Sequence, residues 1–209
     1  MQDLKEISSY RASLREKIMD TAMTAFIQHG IRAVKMDDIA QQLGISKRTL
    51  YEIYEDKEEL LYQSMRKYDQ RRVETLTSYA AQGHHVIDII LEAYRMKVTE
   101  TRMVNPLFYA DIMKYPKVEQ YIKNARENSH DKFITFLQRG VTEGFFREDL
   151  HQELIPHLMD AMGKYIMSNQ LLQRYSAEEL FANFFLVTLR GICTERGVQT
   201  LDAAIAKIL

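Results

Sequence analysis

The sequence predicts an all-α fold, and three observations carry that reading. Glycine occurs 8 times and proline 3 times in 209 residues, so few positions interrupt a helix. Leu, Ala, Met, Glu, Lys, Gln and Arg, the strong helix formers, are abundant. Apolar residues recur three and four apart along most of the chain. Hydrophobic residues make up 46% and charged residues 27%, a globular composition, and the chain is long enough to bury a sizeable core.

The elements follow in order. Leu14, Ile18, Ala22, Ala25 and Phe26 lie at helical spacing, with Ser8 or Ser9 as the expected cap and His29-Gly30 as the stop. A short helix from Met36 to Leu43 puts Met36, Ile39, Ala40 and Leu43 on one face, with Asp37 and Asp38 at its positive dipole end. Gly44-Ile45-Ser46 is a tight turn, and Ser46 is a natural N-cap for a third short helix, Lys47 to Tyr54. Asp56-Lys57-Glu58-Glu59 resembles a capping box, and its helix runs towards Tyr79 before a break at Gln82-Gly83-His84-His85. Further helices are expected from Val86 to about Thr101, after Asn105-Pro106, and from Tyr115-Pro116 to about Gly140. Gly140 and Gly144 are expected to flank a turn that ends in Phe145-Phe146-Arg147. A helix over about 152–173 tolerates Pro156 in its first turn. Ser176-Ala177-Glu178-Glu179 is a full capping box that opens a helix to about Cys193, and a tail helix is expected to reach Leu209.

Composition excludes several classes. The single cysteine, Cys193, forms no internal disulfide and sits in an apolar stretch, where a buried inert thiol is expected. The N-terminal segment lacks the apolar core of a signal peptide, and no run approaches the roughly 18 apolar residues of a membrane span, so a cytoplasmic protein is expected. No nucleophile–base pair, paired-acid motif or metal spacing is visible, so neither an enzyme, a cofactor nor a metal is expected. The acidic run Glu55-Asp56-Glu58-Glu59 reads as a helix-dipole complement, and adjacent His84 and His85 do not share a helix face. Net charge is −1, and residues 1–68 hold eleven Lys and Arg against eleven Asp and Glu. A nucleic-acid partner must therefore be argued from where charges sit rather than from how many there are.

That placement is informative. Two short helices around a glycine-containing turn, with a longer helix beside them, form a helix-turn-helix, whose second helix enters the major groove by its N-terminal residues. Lys47, Arg48 and Thr49 are those residues. Arg48 suits a bidentate contact to a guanine edge, and Lys47 suits a guanine or a phosphate. Tyr51 and Tyr54 offer hydroxyls to phosphate oxygens, and Lys57, at the next helix start, adds its charge to free backbone N–H groups. In isolation Lys47-Arg48 is an ordinary solvated cation pair and Tyr51 an ordinary core residue; the surrounding motif raises both.

From Ala25 to Leu61 the sequence resembles the DNA-binding domain of the TetR family of bacterial transcriptional regulators. The matching residues are Ala25-Phe26, Gly30, Met36-Asp37-Asp38-Ile39-Ala40, Gly44-Ile45-Ser46-Lys47, Thr49-Leu50-Tyr51, Tyr54 and Lys57-Glu58-Glu59-Leu60. The rest shares the helical layout and the Glu143-Gly144-Phe145-Phe146-Arg147 turn. The resemblance implies a repressor that binds a palindromic double-stranded DNA operator as a homodimer and responds to a small-molecule effector. By position, Lys47, Arg48, Thr49, Glu52 and Ile53 are the base-reading candidates, and Lys35, Tyr51, Tyr54 and Lys57 the phosphate contacts. Two positions depart from the family pattern. Lys35 stands where a hydroxyl commonly caps the second helix, so the cap is expected to be lost. Ile53 stands where a polar or aromatic residue is common, and it suits either a thymine methyl or inward packing. Residues 1–56 are thus expected to form the DNA-binding domain and 57–209 the ligand-binding and dimerisation domain, linked by the helix from 57. The rival reading is a helical ligand- or partner-binding protein that does not read DNA.

The C-terminal stretch adds two expectations. The stripes through Leu158, Met162 and Ile166 and through Phe181, Phe184, Phe185 and Thr188 are expected to form a four-helix dimer interface, although such a stripe also fits a buried central helix. Tyr94, Met96, Met103, Phe108, Tyr109 and Met113 supply methionine and aromatic surface for a mostly apolar ligand. Phe133, Phe136, Met162 and Tyr165 extend the same set, and ordinary core is the competing reading for each of them.

Overall fold

A computed structural model describes the backbone of residues 2–206 and the side chains of residues 9–206. The described residues are helical nearly throughout, with one isolated antiparallel bridge between Phe146 and Cys193. The helices are α1 (Gln2–His29), α2 (Met36–Leu43), α3 (Lys47–Ile53), α4 (Lys57–Ala81), α5 (Val86–Met103), α6 (Pro106–Ile112) and α7 (Pro116–Thr142). Then come α8 (Leu154–Ser168), a 3₁₀ turn (Leu171–Gln173), α9 (Ala177–Leu180), a π turn (Phe181–Phe185), α10 (Leu186–Ile192) and α11 (Glu195–Ile205). Among the described residues no helix is long and apolar enough to cross a membrane.

The chain forms two compact units. The first takes the chain up to Arg72 together with Val104–Lys123. Leu14, Ile18, Ala22 and Phe26 form the buried row of α1, and Gly30, at φ 82°, ends the helix by donating its N–H to the Phe26 carbonyl at 2.9 Å. Ile39, Ala40, Leu50, Leu60 and Leu61 complete the core.

This unit is larger than residues 1–56, because α6 is bonded to the end of α1. The Asn105 N–H donates to the Ile27 carbonyl at 2.7 Å, and the Asn105 amide donates to the Gln28 carbonyl at 3.3 Å. A Cβ on Gly30 would lie 3.0 Å from that of Leu107, so the backbone approach is close. Asp111 is buried and accepts the Arg32 N–H at 3.1 Å and the Lys114 ammonium at 2.9 Å. Burial raises its pKa, but these bonds outweigh burial and hold the carboxyl below its ordinary value. The Lys57 ammonium donates to the carbonyls of Ile31 and Val34 at 2.9 and 3.0 Å, tying the loop between α1 and α2 to the start of α4.

The second unit takes Val73–Met103 and the chain from Asn124 onward. Its core gathers Val86, Ile87, Leu91, Leu137, Phe145, Phe146, Leu186, Leu189, Ile192 and Leu201. Arg147 donates its N–H to Ile192 and Thr194 donates to Phe145, at 3.0 and 2.9 Å, so the segment after α7 pairs with the end of α10. Cys193 is buried, and burial pushes its thiol up to about 11, which keeps it protonated and inert.

Several expectations are corrected. The first helix starts at Gln2, running through Ser8 and Ser9, because nothing there breaks it and Ser is tolerated in a helix. Gly140 lies inside α7 rather than at a turn, and a Cβ there would sit 2.0 Å from the Phe146 ring; the glycine makes room for that ring. Gly144, at φ 77°, is the turn glycine. The helix expected to reach 173 ends at Ser168, where Gln170 takes φ 52° and a separate 3₁₀ turn follows. The capping box at Ser176 forms, with Ser176 and Glu179 bonding reciprocally at 2.8 and 3.1 Å, but its helix is interrupted by the π turn at Phe181–Phe185. The tail helix is described as far as Ile205, and Leu209 lies outside the described residues.

Two stability tests follow from these contacts. Gly140→Ala is expected to overpack the Phe146 site and lower unfolding free energy by about 1–3 kcal/mol in urea titration. Lys57→Ala is expected to cost about 1–3 kcal/mol by the same measurement, because it leaves the Ile31 and Val34 carbonyls without their donor.

Candidate nucleic-acid interface

The first unit builds its outer surface from a short turn. Gly44 takes φ 65°, which few side-chain-bearing residues adopt, and donates to the Gln41 carbonyl at 3.1 Å while Ile45 donates to Ala40 at 3.0 Å. Ser46 then caps α3: its hydroxyl accepts the Thr49 N–H at 3.0 Å and pairs with the Thr49 hydroxyl at 2.8 Å. Leu50 and Tyr54 point into the core, which turns Lys47, Arg48, Tyr51 and Glu52 outward.

The outward cations are already paired. The Lys47 ammonium bonds Asp37 at 3.0 Å and lies 5.9 Å above the Tyr51 ring. Arg48, whose side chain is 89% exposed, donates through Nε to Glu52 at 2.8 Å, one turn on. The hydrogen-bonded carboxylates raise both pKa values, so both groups stay positive at neutral pH. These exposed pairs hold little energy and give way readily to a stronger anion.

Lys35 is exposed as expected, and the lost cap is half restored. Its backbone N–H donates to the Asp38 carboxylate at 2.8 Å, one arm of a capping box. Ile53 is half-buried. Two expected phosphate contacts point inward instead. Tyr54 is 2% exposed and its hydroxyl donates to the Arg15 carbonyl at 3.3 Å, because an aromatic at this position seals α3 against α1. Lys57 is half-buried on its two carbonyl acceptors, and burial pulls its pKa below the ordinary lysine value.

The second unit offers a cleft of about 260 Å³ lined by Tyr94, Glu178, Phe181, Asn183, Leu186 and Ile205. Tyr94 and Phe181 stack at 3.5 Å, and Glu178 pairs with Arg102 at 2.6 Å. Of the expected pocket residues, only Tyr94 lines this cleft. Met103 and Tyr165 are exposed, Met96 is half-buried, and Phe133 and Phe136 pack against the main core. Met162 receives the Thr188 hydroxyl at 3.5 Å. Phe108, Tyr109 and Met113 belong to the first unit, with Phe108 buried and Tyr109 edge-on to it. Sequence reasoning missed Phe181 here because it counted that residue on the dimer stripe; the π turn that rotates it has no sequence signal. A larger groove of about 450 Å³ lies against α1 and α2, lined by Thr24, Gln28, His29, Val34, Ile39 and Gln42.

The expected dimer stripe divides. Leu158 is exposed and Met162, Phe184 and Thr188 are half-buried. Ile166 is buried with Leu171 and Leu180, Phe185 packs on that cluster, and Phe181 faces Tyr94, so these three serve the chain's own interior. Leu154 and Val187, 59% and 61% exposed, join Leu158 and Tyr165 as the uncovered apolar residues of α8 and α10. Among the described residues no cluster of His, Cys, Asp and Glu could hold a metal ion.

Known proteins share these features. Residues 18–63 match the profile of bacterial regulatory proteins, tetR family. Over 201 residues the chain is 24% identical to the HTH-type transcriptional repressor KstR2 of Mycolicibacterium smegmatis, covering 90% of this chain and 95% of that one. The ketosteroid transcriptional regulator KstR2 of Mycobacterium tuberculosis superposes with a TM-score of 0.56 at 19% identity, covering 87% and 95% of the two chains. A TetR-family regulator from Agrobacterium tumefaciens superposes with a TM-score of 0.69 at 15% identity, covering 88% and 100%. Residues 18–63 thus match the tetR-family profile at the capped helix-turn-helix, and the chain is similar along most of its length to helix-turn-helix transcriptional regulators.

Proposed function

We propose that this protein is a ligand-responsive repressor that binds a palindromic operator as a homodimer in the cytoplasm. The observation that carries the reading is the capped α3, which presents Lys47, Arg48, Tyr51 and Glu52 outward from a turn built by Gly44 and Ser46. In this reading Arg48 leaves Glu52 for a guanine edge, or Glu52 accepts from a cytosine amine beside it. Thr49 and Ile53 complete base reading, and Lys35, Lys47 and Tyr51 hold phosphates.

The uncovered residues of α8 and α10 support a second copy as their cover, since an apolar face of this kind is completed by two-fold pairing. The effector reading rests on the stacked Tyr94 and Phe181 with Leu186 and Ile205, which suit a flat apolar molecule. The name of the Mycobacterium tuberculosis relative, a ketosteroid transcriptional regulator, agrees with that chemistry. Ligand binding controls DNA only if it favours one head arrangement, through a coupling of about 1–3 kcal/mol.

Selection of the purified protein against random duplex DNA at two salt concentrations is expected to enrich a palindrome, with affinity falling as salt rises. The absence of both enrichment and salt dependence would favour a partner-binding protein that does not read DNA. Arg48→Ala is expected to cost about 1–3 kcal/mol on that palindrome and to relax preference at one position, read by competition among single-base variants. Val187→Asp is expected to leave the chain folded but monomeric in sedimentation, because the new charge is solvated in one copy and buried in two; an intact dimer would place the interface elsewhere.

A further inference from the structure

The notable feature of the first unit outside the helix-turn-helix is the N-terminal part of α1. The 28-residue helix is about 42 Å long, and the buried row ends at Leu14. Tyr10, one turn before Leu14 on the same face, is 67% exposed, so the helix has already left the core there. Residues 9–13 are exposed throughout, and Ser9–Arg15 carries two arginines and no carboxylate.

Arg11 and Arg15 lie one turn apart, so they share a face. Arg15 locates that face: its guanidinium lies 5.4 Å from the Tyr54 ring centroid, and its carbonyl accepts the Tyr54 hydroxyl. Tyr54 is the C-cap of α3. The arginine face therefore adjoins the end of α3, over the Tyr54 ring.

Charge pairing separates these two cations from their neighbours. Lys47 and Arg48 are held by Asp37 and Glu52. Glu16 and Asp20, the nearest carboxylates downstream on α1, are engaged by Lys67 and Arg71 of α4. Arg11 and Arg15 have no ion pair among the described residues. An unpaired pair of guanidiniums beside a reading helix meets a phosphate backbone without first losing a carboxylate partner, and guanidinium geometry matches phosphate oxygens in bidentate fashion.

The geometry points to Arg11 and Arg15 of α1 as a second DNA-contact surface, which grips the phosphate backbone beyond the end of α3. The inference rests on the DNA-binding reading above. These arginines position the duplex and carry no base information, so they act on every sequence alike.

The test uses the full chain and a random-sequence duplex, titrated between about 50 mM and about 200 mM salt. The samples are the wild type, Arg11→Ala with Arg15→Ala, the same pair changed to Lys, and Arg48→Ala as a control. Each lost phosphate contact is expected to reduce the slope of log affinity against log salt by about 0.9, so the double alanine variant, which removes two contacts from each head of the dimer, should lose about 4 and the lysine pair should retain the slope. Thermal melting of each variant reports folding. If the loss of Arg15 over Tyr54 weakens the head, Arg11→Ala alone carries the test with an expected reduction of about 2 for the dimer. An unchanged slope in the alanine variants, beside a wild type that binds with steep salt dependence, overturns the proposal and leaves the DNA reading standing. A wild type without salt-dependent binding overturns both.

Discussion

A seven-residue helix does not hold itself together in water, because forming its first turn fixes several residues for one hydrogen bond. What holds α3 is the burial of Leu50 and Tyr54 against α1, with the Tyr54 hydroxyl bonded to the Arg15 carbonyl. That contact sets which way the helix faces. With Leu50 and Tyr54 inside, Lys47, Arg48 and Glu52 have only the outside left, and the Ser46 cap fixes where the helix begins. The outward face of α3 is the exterior of a packing decision made within the core.

The same unit is also tied together by polar bonds beside the buried Phe108 and Ile112. Asp111 accepts a backbone N–H from Arg32, Asn105 meets the carbonyls of Ile27 and Gln28, and Lys57 meets those of Ile31 and Val34. The chain between α1 and α2 cannot satisfy these groups through its own helices, so α4 and α6 supply partners. Lys57 and Tyr54 look like DNA contacts by their position in the motif. Their polar atoms are instead used to hold the scaffold that presents the outward face of α3.

In the second unit, small departures from helical regularity redirect side chains. The π turn at Phe181–Phe185 brings Phe181 onto Tyr94, and the close of α8 at Ser168 leaves Ile166 to pack with Leu171 and Leu180. Gly140 shows the same logic in reverse: by lacking a side chain it admits Phe146, and the following strand-like bridge to Cys193 can form.

Read alone, the residues determined the helical class, the bounds of α2 exactly as far as Met36 and Leu43, the Ser46 and Ser176 caps, and the helix-turn-helix itself. These are local properties: capping, glycine at positive φ and periodicity act within a few residues of one another. The tertiary structure alone decided the inward turn of Tyr54 and Lys57, the place of Gly140 within α7, and the division of the apolar stripe between the chain's interior and its surface. The inward turns and the divided stripe depend on partners far away in sequence, Arg15 for Tyr54, Ile31 and Val34 for Lys57 and Tyr94 for Phe181, whereas Gly140 answers to Phe146, six residues on. Periodicity shows that a face is apolar, but what covers that face is set by packing between segments whose separation no local pattern records.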